Sequence, residues 1–136
     1  MRSFLIAMMA AVIFAGCQSA PTRTSDTPPV VTTMGVSEAS PAEARPAVAA
    51  AYSQLIDVRP PEEYAAGHAY RARNIPLDKL MDNLGMIEKN EPVYLICNTG
   101  RQSMIAAKML NEAGYPQTIS IAGGTTAWKE AGLPME

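Results

Sequence analysis

A chain of 136 residues has room for one domain of ordinary size plus extensions. Its 11 basic and 13 acidic side chains leave a net charge of −2, and no basic stretch marks the chain for nucleic acid. The two cysteines, Cys17 and Cys97, fall in such different surroundings that they read as having different jobs.

The first lies at the end of an export-type segment. Arg2 supplies a positive start, and Phe4 to Ala15 is an almost unbroken apolar run. That run is too short to span a bilayer as a helix and has the length of a signal-peptide core. It ends in Phe14-Ala15-Gly16-Cys17, which resembles the lipobox of bacterial lipoproteins, with Phe14 standing where an aliphatic residue is preferred. The resemblance implies a signal peptide over 1–16, lipidation of Cys17 and a cell-envelope protein held to the membrane by its lipid. Gln18 in place of Asp favours the periplasmic face of the outer membrane. With Cys17 tied to lipid, Cys97 has no intrachain partner, which excludes a structural disulfide and a CxxC-type disulfide exchanger. Residues 17–37, rich in Ser, Thr, Pro and Asp, read as a flexible tether, and 38–136 as the folded domain.

Within the domain, Ser40-Pro41-Ala42-Glu43 matches a capping box with Pro at the first helical position, although Pro46 must kink that helix or displace its start. Gln54 to Val58 is a short buried strand, and Pro60 to Ala66 a helix of one or two turns with acidic residues early and Gly67 at its end. Asn74-Ile75-Pro76 ends an extended piece, and Leu77 to Leu84 suits a helix closed by Gly85. Val93 to Ile96 is the most hydrophobic strand after the leader. From Ser103 to Ala113 the apolar residues recur at helical spacing, through Ile105 and Met109 and through Ala106 and Leu110, and Gly114 follows as a natural stop. Thr118 to Ile121 is the last strand, and a final helix capped by Thr125 or Thr126 carries Trp128 and stops at Gly132 and Pro134. Strands alternating with helices predict an α/β fold: an open, mainly parallel sheet with helices on both faces. Trp128, Leu110 and Met109 are expected in the core.

The most informative stretch joins two of these elements. Val93 to Ile96 runs into Cys97, then Asn98-Thr99-Gly100-Arg101-Gln102-Ser103, then the helix. This sets a thiol at the C-terminal end of a buried strand, under the free N–H groups of a helix start, where ligands bind in open α/β sheets. The helix dipole and unpaired amides favour an anion there, and amides from Asn98 to Ser103 can curl around it. Gly100 permits the tight conformation such a loop needs, and Arg101 adds a positive charge for an anionic substrate.

The chain resembles the rhodanese-type sulfurtransferases of the single-domain kind, on several separate stretches in order. These are Leu55 to Tyr64, Gly67-His68, Ala72 to Pro76, the Cys97–Ser103 loop, and Ala122-Gly123-Gly124-Thr125-Thr126-Ala127-Trp128 with Ala131 to Pro134. The resemblance implies ping-pong transfer: Cys97 takes the outer sulfur of thiosulfate or a similar donor, and the resulting persulfide passes it to cyanide, a small thiol or a protein thiol. Asn98, Thr99, Gly100, Arg101, Gln102 and Ser103 would form the substrate and persulfide loop, with Asp57 and Arg59 supporting it from behind. His68, the only histidine, falls in a Gly-His pair that is structural in the family. No organic cofactor is implied, and one histidine with one available cysteine cannot build a soft-metal site.

Two positions depart from the family pattern. Gln102 stands where the family's loop carries an arginine that pairs inward with acids such as those matching Asp57 or Glu63. Arg71 replaces a usual glycine. Phosphatases and arsenate reductases also set a cysteine in an anion loop, but they grip their oxyanion with an arginine six positions on, where this chain has Ser103. The competing readings within the family are a non-catalytic envelope module and a persulfide carrier serving a protein partner.

Overall fold

The computed structural model describes residues 36–50 and 53–136. The expected signal peptide, Cys17 and all of the expected tether except its last two residues lie outside the described residues. Five strands, β1 (Ser37–Ala39), β2 (Gln54–Asp57), β3 (Arg73–Asn74), β4 (Val93–Ile96) and β5 (Thr118–Ile121), form one sheet in the order β1-β5-β4-β2-β3. Every neighbouring pair is parallel. Four α-helices, α1 (Pro41–Ala49), α2 (Pro61–Ala65), α3 (Arg101–Glu112) and α4 (Gly124–Glu130), and two 3₁₀ segments complete the domain. This is the α/β architecture that the alternating pattern predicts.

The sheet is buried on both faces because its central strands are apolar on both faces. Along β4, Val93 and Leu95 belong to one core with Ala106, Ala107 and Leu110 of α3, while Ile96 belongs to the other, with Ala44 and Val48 of α1 and Trp128 of α4. Cys97 continues the α3 side of this alternation. Strand order also fixes the site. The chain leaves β2 for β3 on one side of the sheet and leaves β4 for β5 on the other, so a crevice opens at the C-terminal ends of β2 and β4. Pairing of Asp57 with Ile96 sets the two strand ends level there.

Several local expectations are revised. A strand at Ser37–Ala39 was not expected, yet it pairs with β5 and the preceding Val36 is buried in the core. The Ser40 capping box forms, and the helix runs on through Pro46. Its start is fixed by that box, and a proline in so short a helix removes a single backbone hydrogen bond. Leu77 to Leu84 is not an α-helix: Leu77–Lys79 and Met81–Met86 are 3₁₀ segments, with Asn83 in a non-helical conformation and Gly85 inside the second. Helix α3 starts at Arg101, two residues before Ser103, and Ile105 faces solvent at 51% exposure, away from the core. Met109 is only half-buried. Neither Thr125 nor Thr126 caps α4; its cap is Gly123, in the left-handed region and without a side-chain hydrogen bond. Arg71 keeps the turn of the glycine it replaces by adopting φ +70°, and its guanidinium donates to the Ala49 carbonyl at 2.8 Å.

Candidate active site

Cys97 is buried at the first position past β4, and its sulfur fills the role that a side chain on the N-cap residue would otherwise play. Helix α3 begins after Gly100, which has φ +93° and gives the helix no side-chain cap. Its first amides therefore need an acceptor, and Sγ of Cys97 is beside them. The Gly100 N–H donates to Sγ at 3.1 Å, and the Ser103 hydroxyl lies 3.6 Å from it. Burial pushes the Cys97 thiol pKa up, but donation from the Ser103 amide and hydroxyl and the Thr99 and Gly100 amides outweighs that, holding it below the ordinary thiol value.

The loop is pinned from both sides. The amides of Thr125 and Thr126, at the start of α4, donate to the carbonyls of Cys97 and Asn98 at 2.7 and 3.2 Å. That approach requires glycine at 124: a Cβ there would lie 2.2 Å from the Cys97 carbonyl oxygen, and the backbone has φ +55°. The Gly123-Gly124 pair thus seats one helix against the loop of another, a role the sequence reading did not assign to it.

From β2 comes the second support. Asp57, fully buried, takes Nε and Nη2 of Arg59, with the closest contact at 2.7 Å. Arg59 also donates to the Gly67 carbonyl at 2.8 Å and to Oδ1 of Asn98 at 3.4 Å. Asn98 in turn donates to Glu63 of α2 at 2.6 Å, and Asn74 ties the carbonyls of Asp57 and Arg59 together. In this chain Asp57 and Glu63 therefore have partners without an arginine at position 102: Arg59 takes one and Asn98 the other. Asn98 and Glu63 act here as braces, which loop spacing alone did not reveal.

Above the sulfur opens a cleft of about 400 Å³, lined by Pro60, Glu63, Cys97, Asn98, Thr99, Arg101, Gln102 and Ile105. Arg101 and Gln102 are exposed on the first turn of α3, and among the described residues Arg101 makes no ion pair. Glycine at position 100 completes the loop; a Cβ there would stand 3.2 Å from the Gly123 nitrogen. His68 stands apart from the cleft. It stacks on Tyr64 with ring centroids 3.7 Å apart, and Nδ1 lies 3.0 Å from the Tyr64 carbonyl while Nε2 faces Glu136 at 3.4 Å. A separate apolar depression of about 250 Å³ between α1 and Trp128 shares no residue with the thiol cleft. The arrangement offers a buried, amide-stabilised sulfur nucleophile below an open cleft with a cation at its rim.

Comparison with known proteins agrees with this geometry. Residues 40–131 match the rhodanese-like domain family. The chain is 41% identical over 76 residues to the uncharacterized protein YqhL of Bacillus subtilis, a match covering 56% of this chain and 60% of that protein. It is 31% identical over 84 residues to the thiosulfate sulfurtransferase GlpE of Vibrio cholerae, covering 62% of this chain and 79% of GlpE. A crystal structure of a rhodanese-related protein from Thermoplasma volcanium superposes with a TM-score of 0.65 at 25% identity, covering 73% of this chain and 96% of that one. A profile match over 40–131, joined to a cysteine loop at the sheet's crevice, makes this chain a member of the rhodanese-like domain family.

Proposed function

We propose that this chain is a sulfurtransferase that moves sulfane sulfur from thiosulfate or a similar anionic donor to cyanide or a thiol through a Cys97 persulfide. The observation that carries the reading is the Cys97 sulfur itself, ringed by amide and hydroxyl donors that lower its pKa, at the floor of an open cleft. In the first step the thiolate attacks the outer sulfur of thiosulfate, the S–S bond breaks, and sulfite leaves with the bonding pair. Cys97 then carries a persulfide, whose outer sulfur sits one bond further out, within reach of the amides of the Asn98–Gln102 turn. In the second step cyanide attacks that outer sulfur, thiocyanate leaves, and the thiolate returns. The donors that lower the Cys97 pKa favour the ionised nucleophile, so neither step calls on a separate general base. Similarity to a thiosulfate sulfurtransferase supports the donor.

The test is the intact mass of the reduced domain after thiosulfate is added without acceptor. A gain of one sulfur that cyanide removes is the expected result; an unchanged mass from a folded protein with a titratable thiol overturns the reading. Arg101, exposed at the rim and without an ion pair among the described residues, recruits the anion without touching the chemistry. Arg101→Ala therefore raises KM for thiosulfate by roughly two- to fivefold and leaves kcat in place, an effect that high ionic strength erases. Equal thiosulfate kinetics in the two proteins would reduce Arg101 to a surface charge.

The chain acts from the cell envelope in this reading, exported on residues 1–16 and anchored through lipid on Cys17. The support is the Phe4–Ala15 run and the Ala15-Gly16-Cys17 junction. Full-length protein expressed in a two-membrane bacterium is expected in the membrane fraction, and Cys17→Ser in the soluble periplasm. A full-length chain that stays cytoplasmic would contradict it.

A further inference from the structure

Behind the sulfur lies a second hydroxyl that the reading above does not use. Ser103 and Ser120 are both fully buried, and their oxygens are 2.8 Å apart across the α3–β5 contact. Ser103 has three neighbours for one proton: Ser120 Oγ, the Gly100 carbonyl at 3.1 Å and Cys97 Sγ at 3.6 Å. The Ser120 hydroxyl has a single hydrogen-bond neighbour among the described residues, Ser103.

Either hydroxyl can donate across this 2.8 Å contact, and counting the remaining acceptors favours one direction. A buried hydroxyl whose proton finds no acceptor is costly, and Ser103 Oγ is the acceptor at hand for the Ser120 proton. Ser120 therefore donates to Ser103, and the Ser103 proton is left to choose between the Gly100 carbonyl and the sulfur. While Cys97 is a thiol, S–H donates to Ser103 and Ser103 donates to Gly100. Once Cys97 is a thiolate, the Ser103 hydroxyl turns to the sulfur, where the bond is charge-assisted. In both states Ser120 occupies a lone pair of Ser103, and a hydroxyl that accepts one hydrogen bond donates the next more strongly.

From this geometry we infer that Ser120 is a positioning residue that tunes the Cys97 nucleophile through Ser103. The inference deepens the sulfurtransferase reading and rests on it for its purpose, though not for its test. The charged groups about the cleft are Glu63 from α2, Arg101 from α3, Glu38 beyond Arg101, and the Arg59–Asp57 pair that Asn98 touches. None of them hydrogen-bonds to Ser103 or Ser120, so a substitution at 120 leaves them in place.

The experiment is the pH dependence of Cys97 alkylation by iodoacetamide in the reduced domain, for Ser120→Ala, Ser103→Ala, the double variant and Ser120→Thr. Ser120→Ala is expected to raise the thiol pKa by roughly half a unit, about threefold in thiolate fraction below the pKa. Ser103→Ala raises it further, and adding Ser120→Ala to it changes nothing more, because the effect travels through the missing hydroxyl. Ser120→Thr, which keeps the hydroxyl, returns the profile towards the wild type. An unchanged profile in Ser120→Ala overturns the inference, as does a shift of equal size with and without the Ser103 hydroxyl. Alkylation uses no sulfur donor, so a domain that fails to form a persulfide still reports on Ser120, and the two readings fail separately.

Discussion

Replacing Cys97 by serine abolishes sulfur transfer and leaves the domain folded. The reaction needs an atom that is ionised at neutral pH and that forms a persulfide; an alcohol supplies neither property, so transfer is expected to fall by about 10³-fold or more. The fold loses little. Serine at 97 keeps an acceptor for the Gly100 amide, which now donates to Sγ at 3.1 Å. The change in stability is accordingly at most about 1 kcal/mol, or a thermal midpoint within about 4–8 °C of the parent. Turnover with thiosulfate and cyanide, measured beside thermal unfolding, checks both halves. Retained turnover in a folded Cys97→Ser protein would remove the persulfide mechanism. In the parent, the lowered thiol pKa predicts that the alkylation rate levels off at a lower pH than for a free cysteine thiol.

What could be read beforehand divides along a physical line. The alternation of apolar runs and helical periods was legible because each element buries a whole face, and that pattern carries through Leu55-Ile56, Val93 to Ile96 and the Ala106–Leu110 spacing. The position of Cys97 followed from the same pattern, since a strand end followed by a glycine turn and a helix leaves few places for the sulfur. What was not legible depends on contacts between distant segments. Ser37–Ala39 is too short to carry a period and exists because β5 offers it an edge. Ile105 satisfies helical spacing yet faces the cleft, because Ser103, Ala106, Ala107 and Leu110 form the buried face of α3 and leave position 105 outside it. Asn98 pairs with Glu63 over a separation of 35 residues, which no local rule reports. One overlooked signal was present in the sequence: Thr118-Ile119-Ser120-Ile121 places two polar residues on the same side of a buried strand, and the second of them, Ser120, meets Ser103.

The most damaging single change lies away from the sulfur. Arg59→Leu leaves the Asp57 carboxylate fully buried with its guanidinium removed, and an orphaned buried charge costs about 3–5 kcal/mol. That is a large share of the stability of a typical domain, about 5–15 kcal/mol. The same substitution strips the Gly67 carbonyl and Asn98 of a donor, so the turn after α2 and the cysteine loop lose their common anchor. Urea unfolding of Arg59→Leu is therefore expected to show a midpoint shifted strongly down at an unchanged slope. The double variant Asp57→Asn, Arg59→Leu separates the two contributions. Removing the charge as well as its partner recovers much of the stability, because the chief penalty is the unpaired carboxylate rather than the lost attraction. It does not recover turnover, since the Asn98 side chain is then held by Glu63 alone and the loop over Cys97 loses its brace from β2 while keeping the one from α4. If the double variant were as unstable as the single one, the shape of Arg59 and its bonds to Gly67 and Asn98 would be the main support of this corner, and its charge would be secondary.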